Sequence, residues 1–240
     1  MAPLDLNQIN QDFSGKQPQE IIGWALKEFG PKLVLASSFG PEDVAMIHMA
    51  AQIDKKIRII TLDTGRLNEE TYLVADTVLM EYGVKIETYF PDAAAVEALV
   101  SKKGNYSFRE SVENRKECCR IRKVEPLKRA LAGADAWITG QRKSQSITRQ
   151  SLEYVEIDQA FNGIYKINPL RDWTEQDVWN YIKANHVPYN KLFDRGYRSI
   201  GCAPCTRPVE SGQDERAGRW WWENPEHKEC GIHQTNESRA

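Results

Sequence analysis

The stretch that decides the fold reads LVLASSFGPED at residues 33–43. Its first four apolar residues predict a short buried strand, and the turn that follows leads into an apolar helix over residues 42–52. The same order recurs at residues 57–62, IRIITL, which precede Asp-Thr-Gly-Arg and another helical stretch. Short buried strands that alternate with helices predict an α/β fold with a doubly wound, mainly parallel sheet.

The remainder of the chain supports the same architecture up to about residue 200. From residue 201 onward the periodicity fades, and glycine, proline, arginine and tryptophan become frequent. We therefore expect an α/β domain over residues 1–200 and an irregular C-terminal segment over residues 201–240 that packs on it. Further short strands are predicted at residues 85–90, 136–139 and 164–167, with an edge strand at residues 154–157.

Three polar loops come directly after predicted strands, at residues 37–43, 62–66 and 140–149. Ligands in doubly wound sheets bind beyond the carboxyl ends of the strands, so we expect these loops to form one nucleotide cleft. Serine hydroxyls, helix N-terminal amides and paired arginine nitrogens all suit phosphate or sulfate oxygens, although each loop alone is also typical of a solvated turn. The candidate substrate-binding residues here are Ser37, Ser38, Gly40, Asp43, Leu62, Asp63, Thr64, Gly65, Arg66, Gly140, Arg142, Gln145 and Arg149.

Composition excludes several classes of protein. The 240 residues carry a net charge of −2, which argues against sequence-independent nucleic-acid binding, since such proteins usually show a large basic excess. No stretch approaches the roughly 20 apolar residues that span a bilayer, and residues 1–11 lack the pattern of a signal peptide. We therefore expect a cytoplasmic protein that binds neither membrane nor nucleic acid.

Five cysteines are present in a chain expected to remain in a reducing compartment. The adjacent pair Cys118 and Cys119 and the Cys-x-x-Cys pair Cys202 and Cys205 predict a four-thiolate metal site. Neighbouring residues on a helix point about 100° apart, so the adjacent pair requires a local distortion, which Pro126 can supply. A structural zinc and redox disulfides remain open alternatives, because spacing alone does not decide the metal.

Cys230 has no partner once four cysteines are assigned as ligands. A thiolate is the reactive form of cysteine, and nearby cations lower the pKa of a thiol. We therefore interpret Cys230 as a nucleophile, with a spare surface thiol as the alternative. The candidate cations in this segment are Arg216, Arg219, Lys228 and His233.

Taken together, these motifs resemble the assimilatory adenylyl-sulfate reductases of the sulfonucleotide reductase family. The resemblance runs from about residue 31 to residue 233, and its motifs are far more specific in combination than singly. Ile232 stands where the family usually has leucine, which is a conservative difference. The matching segments are residues 37–43, 62–67, 118–127, 140–149, 202–205, 215–222 and 229–233.

The resemblance implies an adenine-nucleotide α-hydrolase-like fold and a [4Fe–4S] cluster. The implied ligands are Cys118, Cys119, Cys202 and Cys205, with Lys123 close to the cluster. Family members that lack the two cysteine pairs prefer the 3′-phosphorylated nucleotide. Their presence here favours adenosine 5′-phosphosulfate, with 3′-phosphoadenosine 5′-phosphosulfate or dual use as the alternative.

The resemblance also implies a reaction. Cys230 attacks the sulfur of adenosine 5′-phosphosulfate, releases AMP and becomes S-sulfonated, and thioredoxin or a similar dithiol then frees sulfite. His233 and Lys123 are the other catalytic candidates, and a homo-oligomer is expected. The cluster is assigned an electrostatic or positioning role rather than electron transfer, because thiol chemistry already moves two electrons. The cations suited to hold the charge that develops are Lys123, Arg142, Arg149, Arg216 and Arg219.

Two other functions compete with this interpretation. An ATP-dependent tRNA-thiolating enzyme would carry a Ser-Gly-Gly-x-Asp-Ser loop and a basic extension, whereas this chain has Ser-Phe-Gly-Pro-Glu-Asp and a slightly negative charge. A zinc-stabilised nucleotide-binding module without enzymatic activity would be colourless and would not need Cys230. The three tryptophans at residues 220–222 are interpreted as an anchor that holds the C-terminal segment against the main body.

Overall fold

The structure is a computed structural model that describes residues 3–145, 149–210 and 212–224. Its regular elements alternate between strands and helices along most of the chain. In chain order they are α1 (Leu6–Asp12), α2 (Pro18–Phe29), β1 (Leu33–Ser37), α3 (Pro41–Ile53), β2 (Arg58–Leu62), α4 (Glu69–Tyr82), β3 (Ile86–Tyr89), α5 (Ala93–Lys103), α6 (Val112–Cys119), α7 (Glu125–Ala130), β4 (Ala136–Ile138), β5 (Val155–Asp158), β6 (Ile164–Ile167) and α8 (Glu175–Ala184).

The strands form one sheet in the order β3-β2-β1-β4-β6-β5. β1 pairs in parallel with β4, β4 pairs in parallel with β6, and β5 runs antiparallel to β6 at the edge. The mainly parallel sheet and the edge strand near residues 154–157 are therefore confirmed. Strand order reverses between β1 and β4, and such a reversal is where ligands bind in doubly wound folds.

Local sequence explains where several helices begin. Pro18 and Pro41 are the first residues of α2 and α3, where the missing N–H of proline costs no hydrogen bond. Thr174 caps α8: its hydroxyl accepts the Asp177 N–H at 3.2 Å, and the Asp177 carboxylate accepts the Thr174 N–H at 2.8 Å.

The chain forms two compact units, each built from separate stretches of sequence. Residues 1–60, 73–87 and 133–190 form the first, which we call the sheet unit. Residues 61–72, 88–132 and 191–240 form the second, which we call the cysteine unit. The expected division at residue 200 stays a prediction.

The sheet unit has an apolar core between helices and strands. Leu35 and Ile138 in the strands and Ile47 in α3 are all 0% exposed.

None of the helices in the described ranges combines the length and apolar character that crossing a membrane requires. The expected cytoplasmic location stays a prediction.

The cysteine unit has a much smaller core, in which Phe108, Cys202, Cys205 and Trp220 pack together. Its main irregularity follows α6, where residues Arg120–Val124 form a π-helix. The Glu125 N–H donates to the carbonyl of Arg120, five residues earlier. The expected distortion beside the adjacent cysteines is therefore present as a wide turn ahead of Pro126, and π turns are frequent at functional sites.

Candidate functional site

The loop after β1 in the sheet unit is organised by one carboxylate. Asp43 accepts the Ser38 N–H at 2.5 Å and the Ser38 hydroxyl at 2.8 Å. Ser37 Oγ accepts the Phe39 N–H at 3.0 Å, and Phe39 adopts a φ of 58°, a left-handed conformation that is uncommon outside glycine. The exposed Ser38 and the half-buried Gly40 thus lie in a strained turn held in one shape, as many ligand loops are.

Asp43 is a buried acid at the start of α3. Burial raises the pKa of its carboxyl to about 6, the bonds from Ser38 oppose that rise, and the neighbouring charge of Glu42 adds to it. The first turn of a helix favours an anion, which suits a carboxylate here as it suits a phosphate. The loop therefore already contains one negative charge near neutral pH.

The loop after β4 meets the loop after β1, because β1 and β4 are parallel neighbours. Arg142, 1% exposed, donates from Nε to Glu42 Oε1 at 2.8 Å and from NH1 to Ser144 Oγ at 2.7 Å. Gln145 Nε2 donates to the same Glu42 oxygen at 2.9 Å. A Cβ added at Gly140 would lie 2.6 Å from Asp43 Oδ1, so only glycine allows this approach.

Two arginines of this loop that were predicted to bind the substrate thus contact other side chains of the protein. Arg142 is bound to Glu42, and Arg149 donates to the side-chain oxygen of Gln145. Glu42 was not among the predicted site residues, because no local pattern in the sequence pairs it with Arg142. Residues 146–148 of this loop lie outside the described residues.

The loop after β2 belongs to the cysteine unit. Asp63 accepts the Gly65 N–H at 2.7 Å and the Tyr72 hydroxyl at 3.0 Å. Burial and the bond to Asp63 raise the pKa of Tyr72 to about 12. Gly65 has a φ of 70°, which favours glycine. Leu62, the last residue of β2, is half-buried. Tyr72 was not predicted, since no local pattern links it to Asp63.

This loop is bonded to the Cys-x-x-Cys turn. Thr64 Oγ1 lies 3.2 Å from Cys202 Sγ, and the Ala203 N–H donates to the Arg66 carbonyl at 2.7 Å. Arg122 NH1 donates to the Thr64 carbonyl at 2.6 Å. Thr64 and Arg66, two of the residues predicted to bind the nucleotide, therefore contact the Cys-x-x-Cys turn directly, and the roles predicted for them stay predictions.

The four paired cysteines line a single small cavity in the cysteine unit, and none of them is in a disulfide. Burial raises the pKa of the Cys118 thiol, which the charges of Arg122 and Arg66 oppose. Burial, followed by the charge of Cys202, raises the pKa of Cys205 to about 12. The other residues that line the cavity are Arg66, Phe108, Arg115, Arg122, Lys123, Arg219 and Trp220.

The donor set of this cavity suits a thiolate-bound metal centre. Four sulfurs surrounded by cations match the chemistry of zinc or an iron–sulfur cluster, because the cations offset the negative charge of the thiolates. Within the described ranges, no group of three or more His, Cys, Asp or Glu side chains is arranged to hold a metal ion. The support for a metal is therefore the shared cavity and its donor chemistry.

The described part of the C-terminal segment packs against this cavity. Trp220 is 1% exposed and donates its backbone N–H to the Cys205 carbonyl at 3.2 Å. The guanidinium groups of Arg219 and Arg216 lie 4.6 Å and 6.0 Å from the centre of the Trp220 ring. Trp220 is thus buried, as expected of an anchor. The predicted catalytic residues Cys230 and His233 lie outside the described residues.

Comparison with known proteins gives consistent matches. The family described as "Phosphoadenosine phosphosulfate reductase domain" matches residues 32–208. An adenosine 5′-phosphosulfate reductase of Pseudomonas aeruginosa (strain LESB58) is 47% identical over 239 residues, covering 98% of this chain and 88% of that protein. The adenosine 5′-phosphosulfate reductase of Allochromatium vinosum is 53% identical over 214 residues, covering 89% and 83%.

A solved structure confirms the predicted adenine-nucleotide α-hydrolase-like fold. The phosphoadenylyl-sulfate (PAPS) reductase from Candida auris superposes on this chain with a TM-score of 0.74 at 30% identity. The superposition covers 87% of this chain and 99% of that structure.

Proposed function

The chain belongs to the phosphoadenosine phosphosulfate reductase domain family, and from that premise we propose that Cys230 is the nucleophile of a reductase acting on adenosine 5′-phosphosulfate. The chain reduces this nucleotide in sulfate assimilation, as the names of its bacterial and plant relatives indicate. The observation that carries the proposal is the division of its cysteines. Four share one cavity, and Cys230 lies ten residues beyond Trp220, the last residue that lines that cavity.

The proposed first step transfers a sulfonate group. The Cys230 thiolate attacks the sulfur of adenosine 5′-phosphosulfate, a sulfur–sulfur bond forms, and the bond from that sulfur to the phosphate oxygen breaks. AMP leaves with the electron pair of the broken bond. One thiol of a dithiol then attacks the sulfur of Cys230, forms a mixed disulfide and displaces sulfite. The second thiol breaks that mixed disulfide, so the dithiol becomes a disulfide, supplies both electrons and returns Cys230 to its thiol form.

Each unit carries residues for which we propose a role. We propose that the loops around Ser38 and Gly140 hold the nucleotide in the sheet unit. Lys123 and Arg219 of the cysteine unit would meet the charge that develops as AMP departs. His233 is proposed as a further catalytic group in the segment that carries Cys230.

The cavity of the cysteine unit is the proposed site of a [4Fe–4S] cluster. The donor set supports it, because Cys118, Cys119, Cys202 and Cys205 line one cavity with arginines and Lys123. When bound, the cluster would supply an electrostatic environment for an anionic substrate. The π turn at Arg120–Val124 begins directly after the ligand pair, and π turns are frequent at functional sites.

Intact mass spectrometry tests the nucleophile. We expect anaerobically purified protein to gain the mass of one sulfonate after incubation with adenosine 5′-phosphosulfate, to carry it on Cys230, and to lose it when thioredoxin is added. Cys230→Ser should gain nothing and should retain its brown colour and iron. An unmodified wild-type protein would reject the proposed mechanism.

A cysteine-to-serine substitution in the cavity, matched to Cys230→Ser, tests whether the cavity holds the cluster. We expect Cys202→Ser to lose iron and colour, because the remaining three thiols do not complete a four-thiolate site. Equal iron content in Cys202→Ser and wild type would show that the cavity is not the cluster site. Bound zinc in colourless wild-type protein would favour the structural alternative.

The preference between the two nucleotides and the assembly are further proposals. The relatives at 47% and 53% identity are adenosine 5′-phosphosulfate reductases, whereas the structural neighbour at 30% identity is a PAPS reductase. We therefore expect a higher kcat/KM for adenosine 5′-phosphosulfate than for its 3′-phosphorylated form. Thioredoxin or a similar dithiol as reductant, a homo-oligomer and a cytoplasmic location follow from the family resemblance.

A further inference from the structure

Arg115 and Glu223 form a buried ion pair with two hydrogen bonds in the cysteine unit. Arg115 Nε donates to Glu223 Oε1 at 3.0 Å, and Arg115 NH2 donates to Oε2 at 2.9 Å. The two side chains are only 1% and 4% exposed. An arginine and a carboxylate paired in this way fix direction as well as distance. The pair therefore holds its two chain segments in one relative orientation.

The pair joins α6 to the end of the described chain. Arg115 lies on α6 three residues before the adjacent cysteines, and it lines the cysteine cavity. Its guanidinium also lies 4.7 Å from the centre of the Trp220 ring. The Glu223 N–H donates to the Trp220 carbonyl at 2.9 Å and closes a turn. We call residues 218–223 the tail clamp.

The tail clamp is specified by its backbone as well. Gly218 accepts the Arg207 N–H at 3.1 Å, and a Cβ added at Gly218 would lie 2.2 Å from the Arg207 carbonyl oxygen. Trp220 has a φ of 40°, a conformation that a bulky residue adopts only when its surroundings impose it. These contacts bring Glu223 to Arg115 in one defined position.

Stability alone does not explain a charged pair at this place. Both charges lose their water on burial, and apolar residues of similar size often stabilise a protein as well or better. A hydrophobic contact is non-directional, whereas the paired hydrogen bonds impose an orientation. The pair therefore suits a segment whose direction matters, and the chain that leaves Glu223 leads to Cys230.

We infer that Arg115 and Glu223 are positioning residues for the reaction: their pairing fixes the start of the segment that delivers Cys230 to the substrate. This inference rests on the proposed role of Cys230. Neither side chain is assigned contact with the reacting atoms. Their effect is on the attack geometry of a thiol seven residues away in sequence.

The length of the segment sets the size of the expected effect. Seven extended residues reach at most about 25 Å. Without the pair, the segment is next held by the ring contact of Trp222 with Phe108, so the chain beyond the last held residue lengthens from seven residues to eight. That added length by itself lowers the effective concentration of the thiol by less than about twofold. A displaced attacking atom costs far more, up to about 100-fold for 1 Å.

Single-turnover S-sulfonation is the deciding measurement. The iron-loaded wild-type protein and Glu223→Gln are mixed with saturating adenosine 5′-phosphosulfate, and the gain of sulfonate on Cys230 is followed by quench and intact mass. We expect Glu223→Gln and Arg115→Lys each to slow this step by about tenfold. Iron content, the Kd for the nucleotide and the rate of Cys230 alkylation by iodoacetamide should stay within about twofold.

Two controls separate orientation from other effects. Insertion of Gly-Ser-Gly after Asn224 leaves the pair intact and reports the effect of length alone, for which we expect about a twofold loss. Glu70→Gln removes an ion pair of the same unit, with Arg195, and should sulfonate at the wild-type rate. The double variant Arg115→Met/Glu223→Met removes the pair without stranding a buried charge, and it replaces the single variants if these do not fold.

The outcomes are distinct. A loss in the pair variants no larger than that of the insertion, or a loss that follows iron content or nucleotide affinity, overturns the positioning role. A loss in Arg115→Met/Glu223→Met equal to that of each single variant supports it, since residues that act as a unit are not additive. If the wild type gains no sulfonate, the proposed function fails rather than the pairing.

Discussion

The two units of the molecule bury different chemistry. The sheet unit has an apolar core in which residues such as Ile47 and Ile138 are 0% exposed. The cysteine unit buries thiols, aromatic rings and the guanidinium groups of Arg115, Arg122 and Arg219. Apolar burial stabilises a fold without a ligand, whereas buried cations around thiols are stabilised by a bound anion. The difference indicates that apolar packing holds the centre of the sheet, whereas the cysteine cavity also requires its buried charges and thiols to be balanced.

The largest effect should come from the small core of the cysteine unit. Phe108 is 1% exposed, with its ring 5.9 Å from that of Trp222 and under the guanidinium of Arg66. We expect Phe108→Ala to cost about 3–5 kcal/mol of local stability. The loss should be measurable as faster reaction of the paired cysteines with a thiol reagent in metal-free protein. Unchanged thiol reactivity would contradict the view that this core protects the cavity.

Ile138 offers the matched substitution in the sheet unit. It lies in β4 at the centre of the sheet and is fully buried. We expect Ile138→Ala to lower the free energy of unfolding by about 2–5 kcal/mol, because it leaves a cavity in an apolar core. Urea denaturation measures that loss. Iron per folded chain should stay at the wild-type level, and a drop in iron would remove the distinction between the two units.

Sequence reasoning succeeded where the sheet unit is repetitive. Apolar runs such as residues 33–36 predict buried strands, because the period of a strand and the flanking turn residues are local signals. The parallel order then brings the loops at Gly40 and Gly140 together, as their shared position after strands predicts. The roles assigned to the residues of these loops stay predictions.

For the cysteine unit, the sequence predicted which residue types take part but not which side chains contact one another. Cysteine spacing indicates a thiolate site, but the pairing of Arg115 with Glu223 joins residues 108 positions apart, and no periodicity marks it. The same holds for Tyr72 and Asp63, and for Glu42 opposite Arg142. Polar contacts of this kind are decided by tertiary packing, so a single sequence does not reveal them.

A substitution at Gly140 tests whether the sheet unit depends on close packing at its loops. A Cβ there would lie 2.6 Å from Asp43 Oδ1 and 2.9 Å from Glu42 Cβ. We expect Gly140→Ala to cost about 1–3 kcal/mol of stability and to weaken binding of adenosine 5′-phosphosulfate, since both loops must shift. Calorimetry measures the affinity and urea denaturation the stability.

The control for that substitution is Gly23 in α2, where a Cβ would meet only Ile53 Cδ1 at 3.9 Å. Because alanine favours a helix over glycine, Gly23→Ala should keep or raise stability by up to about 1 kcal/mol and leave affinity unchanged. Equal effects at the two glycines would mean that the approach of the loops at Gly140 is not required.

The smallest effect is a pH dependence that Asp43 gives to the sheet unit. The pKa of Asp43 is raised by burial to about 6, above its value in the unfolded chain, so the folded state binds the extra proton. Stability from this group is therefore present at low pH and is lost as the pH rises through 6, by about 1 kcal/mol between pH 5 and pH 8.

Asp43→Asn isolates that term, because its side-chain oxygen can still accept both bonds from Ser38 while it no longer titrates. The difference in free energy of unfolding, wild type minus Asp43→Asn, should fall by about 1 kcal/mol from pH 5 to pH 8 in urea titrations. Ser38→Ala removes a hydroxyl bond that lowers the pKa of Asp43, so it should move the midpoint of this fall to higher pH. If the stability of wild type and of Asp43→Asn changed equally with pH, the pKa of Asp43 would not be raised in the folded protein, and the prediction would be wrong.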